Sequence, residues 1–197
     1  MKKHLLFLLS IVTLALAGCK SKQEVAPAVE PAGWQNITLP VTVTIDQPMS
    51  LTLNGTLTMV RGEYALMSFR TFGFEVASAE ITPRELNFSM RMPSKMWICE
   101  PLDSRLKSRN IDFTQLQDDF VSENMPQINI PGLSASTKNG TTTIHLSTTA
   151  KGMKISASVS YKISNAKWDI ENPAAFSTPG SDYRKIDLQS AAKFLGK

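Results

Sequence analysis

Residues 64–97 read YALMSFRTFGFEVASAEITPRELNFSMRMPSKMW, and this stretch limits the choice of fold most strongly. From Leu86 to Met92 apolar and polar residues alternate, which is the two-residue period of a half-buried strand. The preceding Thr82-Pro83-Arg84-Glu85 is typical of a turn, because Pro presets φ for the second turn position. Two further strand-like runs come before it, at Tyr64–Phe69 and Phe74–Ile81. The stretch therefore predicts three antiparallel strands rich in Met and Phe.

Three short motifs in this part of the chain carry a resemblance: Phe72-Gly73-Phe74-Glu75-Val76-Ala77, Ile81-Thr82-Pro83 and Met96-Trp97. They resemble a family of uncharacterised bacterial envelope lipoproteins with the fold of LolA and LolB, the periplasmic carrier and the outer-membrane receptor of lipoproteins. The resemblance covers roughly Val41 to Phe120. The family often has Arg after the Glu-Val-Ala run, whereas Ser78 stands there in this chain, so no role of that Arg transfers. The resemblance implies an incomplete barrel of antiparallel strands around a helix.

The first residues of the chain have the pattern of a lipoprotein signal. Lys2, Lys3 and His4 precede an apolar run from Leu5 to Leu16, which has signal-peptide length and is short for a membrane span. The sequence Leu16-Ala17-Gly18-Cys19 then resembles a bacterial lipobox, which predicts cleavage before Cys19 and attachment of diacylglycerol to its thiol. The alternative is an ordinary secretory signal in which the cysteine occurs by chance.

The predicted domain organisation follows from this signal. Residues 1–18 form the signal peptide, residues 19–33 the lipidated cysteine and a flexible tether, and residues 34–197 a single β domain of LolA/LolB-like fold. The tether prediction rests on Pro27, Pro31 and the lack of any apolar period. Lys20 is not the Asp linked with inner-membrane retention in enteric bacteria, which favours the outer membrane, facing the periplasm.

Charge gives no indication of a nucleic-acid partner. Cleavage after Gly18 removes Lys2 and Lys3, so the formal net charge falls from +4 to +2. The predicted partners are instead the membrane, through the lipid anchor, a lipid or acyl chain, and as a further class another envelope protein.

Two strands are predicted before the Met- and Phe-rich stretch. Ile37 to Ile45 alternates strictly, and Pro40 lacks an N–H, which indicates an edge strand or the beginning of one. Met49 to Met59 contains Asn54-Gly55, a frequent hairpin turn. A hairpin there would place Leu opposite Thr, so we predict one continuous strand with Gly55 as a bend and a turn at Arg61-Gly62.

A helix and a meander are predicted after Trp97. Asp112 is a candidate N-cap, with Gln115 three residues later as in a capping box, and a helix is expected at 113–123. Turns at Asn139-Gly140, Lys151-Gly152 and Asn165-Ala166 would each bring apolar residues opposite apolar residues. A last strand at Ser181–Asp187 and a C-terminal helix from Leu188 complete the pattern.

The predicted fold class is mainly β, of the α+β type. A curved antiparallel sheet of about ten strands would form an incomplete barrel, because so large a sheet must curl or split. One sizeable helix would pack in its concave side.

No residue pattern predicts an enzyme, a catalytic group, a metal site or a cofactor. His145 is expected to be an exposed strand residue, and Asp118-Asp119 point about 100° apart on a helix, too far to share a proton. Cys99 is expected to be a small buried apolar residue rather than a reactive thiol. Glu75 lies among apolar neighbours, and its role is left open between an Arg partner and a buried site residue.

Methionine is concentrated in one part of the chain. Six of the nine Met residues lie between Met49 and Met96, and Met adapts to ligands of variable shape. A concave sheet lined by such residues would suit acyl chains, and plain core packing is the equally weighted alternative. The residues predicted to line an apolar pocket are Leu57, Met59, Met67, Phe88, Met90 and Met92.

The loop Arg70-Thr71-Phe72-Gly73 is the second candidate site. A large apolar side chain in a surface loop is costly unless something covers it. Phe72 could fold back onto the sheet edge, or it could enter a bilayer interface while Arg70 meets a phosphate. The leading functional hypothesis is therefore a membrane-anchored protein that binds a lipid or a lipoprotein acyl chain, similar to LolB. The alternative is a structural or partner-docking envelope lipoprotein with a filled core.

Overall fold

The computed structural model describes residues 33–47, 51–91, 95–108, 110–122, 132–150 and 153–187. Within them the chain forms eleven strands and two helices. The strands are β1 (Asn36–Gln47), β2 (Leu51–Val60), β3 (Tyr64–Thr71), β4 (Phe74–Ile81), β5 (Glu85–Met90), β6 (Met96–Pro101), β7 (Leu133–Lys138), β8 (Thr141–Ala150), β9 (Met153–Tyr161), β10 (Lys167–Trp168) and β11 (Arg184–Lys185). The helices are α1 (Asp103–Ser108) and α2 (Phe113–Val121), and a 3₁₀ turn spans Ile163–Asn165.

All the strands belong to one sheet. Their order is β11-β6-β5-β4-β3-β2-β1-β9-β8-β7, and β10 pairs with β1. Every pairing is antiparallel except that of β11 with β6. The end strands β11 and β7 do not pair with each other, so the sheet is open. The predicted mainly β class and the large, largely antiparallel sheet are confirmed.

The core lies on one face of this sheet, called here the inner face. In β1 the alternate residues Ile37, Leu39 and Val43 are at most 1% exposed. Pro40 was expected to mark an edge strand, and that expectation is wrong, because β1 lies between β2 and β9. The missing N–H is tolerated because β10 pairs with β1 only up to Thr38, and β9 pairs with it only from Val41.

The continuous β2 strand is confirmed, and Gly55 has a packing role in it. Gly55 lies directly opposite Val41 on one side and Phe69 on the other. A Cβ added at Gly55 would approach the Ser68 carbonyl oxygen to 2.7 Å and the Phe69 ring to 3.0 Å. The strand therefore passes through the Asn-Gly pair without turning, because its neighbours close around the missing side chain.

The meander of β7, β8 and β9 has the predicted register, with Ala135 opposite Ile144 and Ile144 opposite Val159. The third predicted turn, at Asn165-Ala166, is wrong. The chain forms a 3₁₀ turn there, and Trp168 pairs with Ile37 of β1 instead of Ile163. The start of β1 extends beyond the end of β9 and offers a free ladder position, which β10 occupies.

Helix α2 begins as predicted and ends slightly earlier, at Val121. The Asp112 carboxylate accepts a hydrogen bond from the Gln115 N–H at 2.9 Å. The Gln115 side chain donates to Asp119 at 2.8 Å and does not return to the N-cap, so only half of the capping box forms. Helix α2 packs on the inner face, where the Tyr161 hydroxyl donates to the Phe120 carbonyl oxygen at 2.8 Å. Helix α1 is an element that the sequence analysis did not predict.

Residues 170–183, called here the strap, cross the outer face of the sheet without helix or strand. Every third residue of its first part is half-buried, namely Ile170, Pro173, Phe176 and Pro179. This period matches the three residues per turn of polyproline II. The Tyr64 hydroxyl holds the strap by donating to the Ala174 carbonyl oxygen at 2.8 Å. The predicted last strand is confirmed only at Arg184–Lys185.

Several predictions fall outside the described residues. They concern the signal peptide, Cys19 and the tether, Met49, Met92, the Lys151-Gly152 turn and the C-terminal helix from Leu188.

Candidate functional site

The hairpin between β3 and β4 ends in a two-residue turn, Phe72-Gly73. Both residues have positive φ, 51° for Phe72 and 83° for Gly73. Two-residue hairpin turns with positive φ at both positions normally carry Asn-Gly or Asp-Gly. A bulky residue with positive φ is an outlier, and the left-handed conformation costs about 1–2 kcal/mol relative to the right-handed one. Phe72 is therefore a locally unfavourable choice that some other role must explain.

The side chains of this turn are uncovered. Phe72 is 95% exposed and Phe74 is 73% exposed, the two highest values for large hydrophobic residues in the described part of the chain. Arg70 and Thr71 are exposed too. The sequence analysis left open whether Phe72 folds back onto the sheet, and the structure does not show that packing. Residues 70–74, called here the hairpin tip, form an apolar projection flanked by a cation.

The hairpin tip projects because the strand pairings on both sides of the hairpin end before they reach it. Pairing of β2 with β3 ends at Gly55 opposite Phe69, although both strands continue. The register of β3 against β4 shifts between Phe69 and Arg70, and such a bulge bends a strand and increases its twist. On the other side, β5 pairs with β4 only from Ala77 onward. The last turn of the hairpin is thus free of ladder partners on both sides.

Glu75 stands at the base of the hairpin tip. It lies directly opposite Arg70 in the β3–β4 ladder, and it accepts a hydrogen bond from the Ser68 hydroxyl at 2.7 Å. This half-buried carboxylate thus fixes the two strands where the register shifts. The sequence left the role of Glu75 open, and the structure shows this local contact for it.

The residues predicted to line a pocket share the inner face. Leu57 lies opposite Met67, Met67 opposite Ala79, and Ala79 opposite Phe88. Leu57, Met59, Phe88 and Met90 belong to the core and are 0–8% exposed, and Met67 is half-buried against them. The structure therefore brings these five residues together on one face. That they bind a ligand stays a prediction.

A polar cluster at the opposite end of the sheet holds the start of the domain. The Asp118 carboxylate accepts from the Trp34 indole N–H at 2.9 Å and from the Arg61 guanidinium at 2.8 Å and 2.6 Å. Hydrogen bonding from Arg61 lowers the pKa of Asp118, with Trp34 adding to the effect. Trp34 is only 5% exposed, so the chain enters the domain at a fixed point. The sequence analysis considered Asp118 only as half of an acid pair and missed this contact.

The remaining residues singled out by the sequence are Cys99 and His145. Cys99 was expected to be buried, and that expectation is wrong, because the side chain is only half-buried. Burial raises the pKa of the Cys99 thiol, which lies 3.7 Å from Glu85 beside a cavity of about 310 Å³ bordered by Arg184 and Lys185. His145 is exposed, as predicted. In the described ranges, no three His, Cys, Asp or Glu residues are placed to hold a metal ion, and no helix is long and apolar enough to cross a membrane.

No protein family model matches this chain, and no curated protein is similar to it. The features that bear on function are the hairpin tip, the inner face and the predicted lipobox.

Proposed function

We propose that this protein is a non-enzymatic lipoprotein of the bacterial envelope that binds a lipid or a lipoprotein acyl chain through its hairpin tip. Cys19 would hold it to the outer membrane, facing the periplasm. The observation that carries the proposal is Phe72, a 95% exposed aromatic residue in an unfavourable backbone conformation. Strained residues of this kind are concentrated at functional sites.

The free energy available from burying the hairpin tip in a bilayer is suited to a contact that assists a lipid anchor. Burying one Phe side chain contributes roughly 1.5–3 kcal/mol, so Phe72 and Phe74 together could not hold a protein on a bilayer but could orient a tethered one. Arg70 in the tip and Arg91 beside it are exposed cations that could meet lipid phosphates. The Arg91 N–H donates to the Val76 carbonyl oxygen at 2.9 Å, which holds this second cation near the tip.

An acyl chain that enters at this end of the sheet would meet the inner face next. The row of paired residues nearest the tip is Phe69, Ala77, Met90 and Met96. If the curved sheet acts as an incomplete barrel around α2, the flexible Met side chains could make room for the chain. Replacing Met90 with Trp should then reduce binding of a fluorescent fatty acid by the folded domain. Equal binding by the variant would exclude Met90 from the binding surface.

The tip contact is tested with Phe72→Glu in a domain lacking residues 1–19. The expected result is loss of co-sedimentation with anionic vesicles at an unchanged or higher melting temperature, because the wild-type side chain contacts almost no protein. Ser164→Glu is the matched control, since it adds the same charge at an exposed position of the opposite end. Vesicle binding by Phe72→Glu at the wild-type level would reject the proposed contact.

The alternative is a partner-docking lipoprotein with a filled core. It is favoured by the 0–8% exposure of Leu57, Met59, Phe88 and Met90. Mass spectrometry of lipids extracted from the domain, purified from its native host, separates the two proposals. A bound acyl species supports the first, and its absence together with no fatty-acid binding supports the second.

A further inference from the structure

Trp34 and the hairpin tip lie at opposite ends of the sheet. The chain enters the domain at Trp34, beside the Arg61-Gly62 turn that joins β2 to β3. The tip is at the far end of β3. At the entry end Trp34 is 5% exposed, and Trp168, which is 40% exposed, packs against it in a T-shaped arrangement with the ring centroids 6.5 Å apart.

The separation follows from the register. Val41 of β1 lies level with Gly55 of β2 and Phe69 of β3. From Trp34 to Val41 and from Phe69 to Thr71 the path covers nine residue steps, which is about 30 Å at 3.3 Å per residue. A domain that stands upright on this tip therefore has Trp34 at most about 30 Å above the bilayer.

Residues 20–33 must cover this height if Cys19 is in the same bilayer. Fourteen residues extend to at most about 46–50 Å, and a flexible chain of that length has a root-mean-square span of about 20 Å. The full tether can therefore reach, but only when stretched beyond its average span. About nine extended residues are the minimum for 30 Å.

We propose that residues 20–33 act as a spacer whose length lets the domain contact its own membrane with the hairpin tip. The inference rests on the proposed function. It adds the orientation of the domain on the membrane and the minimum length of the tether. A tether below about nine residues would hold the Trp34 end near the bilayer and keep Phe72 away from it.

The test uses the full-length lipidated protein in vesicles of phosphatidylethanolamine and phosphatidylglycerol that carry an acceptor dye on a lipid. A donor dye is placed at Thr71→Cys, next to an intact Phe72, or at Ser164→Cys at the opposite end, each with Cys99→Ser. With the full tether, energy transfer should be greater from residue 71 than from residue 164. Greater transfer from residue 164 would overturn the inference, since the domain would then stand on its entry end.

The tether series sharpens the test. Deleting residues 22–29 leaves six residues, about 20 Å when extended, and should reverse the order of the two transfer signals. Deleting residues 23–25 leaves eleven, and replacing residues 22–29 with eight Gly and Ser residues keeps fourteen, so both should behave as wild type. An unchanged order after the eight-residue deletion contradicts the spacer role.

The two proposals fail in different ways. If the soluble domain does not bind vesicles, the proposed function fails, and the spacer fails with it. If the soluble domain binds through Phe72 but transfer does not depend on tether length, only the spacer is rejected. Melting temperatures of the labelled variants show whether each is folded.

Discussion

Phe72 is the residue at which stability and function should separate. Its φ of 51° suits Asn better than Phe, and its 95% exposed ring contributes little packing. We expect Phe72→Asn to raise the free energy of unfolding by about 0.5–1 kcal/mol while vesicle binding is lost. Chemical denaturation and co-sedimentation of the same preparation measure both. A less stable Phe72→Asn variant would mean that the ring packs on the domain.

Asp118 gives a prediction about the stability of the protein at low pH. Hydrogen bonding from Arg61 lowers its pKa below the ordinary 3.8, so its contribution to stability is full above that value and is lost as the pH falls through the folded-state pKa. Asp118→Asn should cost about 1–2 kcal/mol at pH 7, because charge-assisted hydrogen bonds are replaced by neutral ones. Unfolding curves from pH 7 to pH 2.5 should converge for the two proteins. A constant difference over that range would contradict the ionic contact.

At the scale of elements, Gln117 connects α2 to the sheet. It is 3% exposed, donates to the carbonyl oxygens of Val60 at 3.0 Å and Tyr64 at 2.9 Å, and accepts from the Gly62 N–H at 2.7 Å. Gln117 lies four residues from both Phe113 and Val121 along α2, on its buried side.

Truncating this side chain should therefore be costly. Gln117→Ala removes a hydrogen bond from three main-chain groups at the β2–β3 turn, although the Val60 carbonyl oxygen keeps its bond from the Glu63 N–H. We expect a loss of about 2–3 kcal/mol. Gln115→Ala on the exposed side of α2 is the control and should change stability by less than about 0.5 kcal/mol. Denaturant unfolding of both variants gives the comparison. Equal losses of unfolding free energy would show that the Gln117 hydrogen bonds do not stabilise the contact between α2 and the sheet.

Elements joined by short turns could be predicted from the sequence, and elements paired over long distances could not. The register of β7, β8 and β9 follows from matching apolar faces across adjacent turns. The predictions at Pro40 and Asn165 are wrong because they depend on β9 and β10, which pair with β1 from more than 100 residues away in sequence. No local pattern reports such a contact.

At the scale of the whole molecule, the strap covers a carboxylate. Glu80 on the outer face is hydrogen-bonded by the main chain of Phe176, and burial raises its pKa above the ordinary 4.5. A raised carboxyl pKa means that stability declines as the pH rises from the unfolded-state value through the folded-state value. Glu80→Gln should remove that decline. Melting at pH 4 and pH 7 tests it, and a variant that keeps the full wild-type difference would contradict it.

The candidate site was only partly predictable. The sequence placed Phe72 in a loop between two strands, because alternation stops at Arg70 and resumes at Phe74. It could not predict the positive φ, the register shift after Phe69 or the loss of both neighbouring strands, which depend on the assembled sheet. It also could not show that Trp34 and Phe72 lie at opposite ends, since that follows from the strand register.

The most direct test of the lipid-contacting tip is amide hydrogen exchange of the soluble domain, with and without anionic vesicles. We predict added protection in peptides spanning residues 70–76 and no change in β7, an end strand of the sheet with one edge available to a partner. Protection confined to 133–138, or none at 70–76 while the domain is bound, would contradict the central claim.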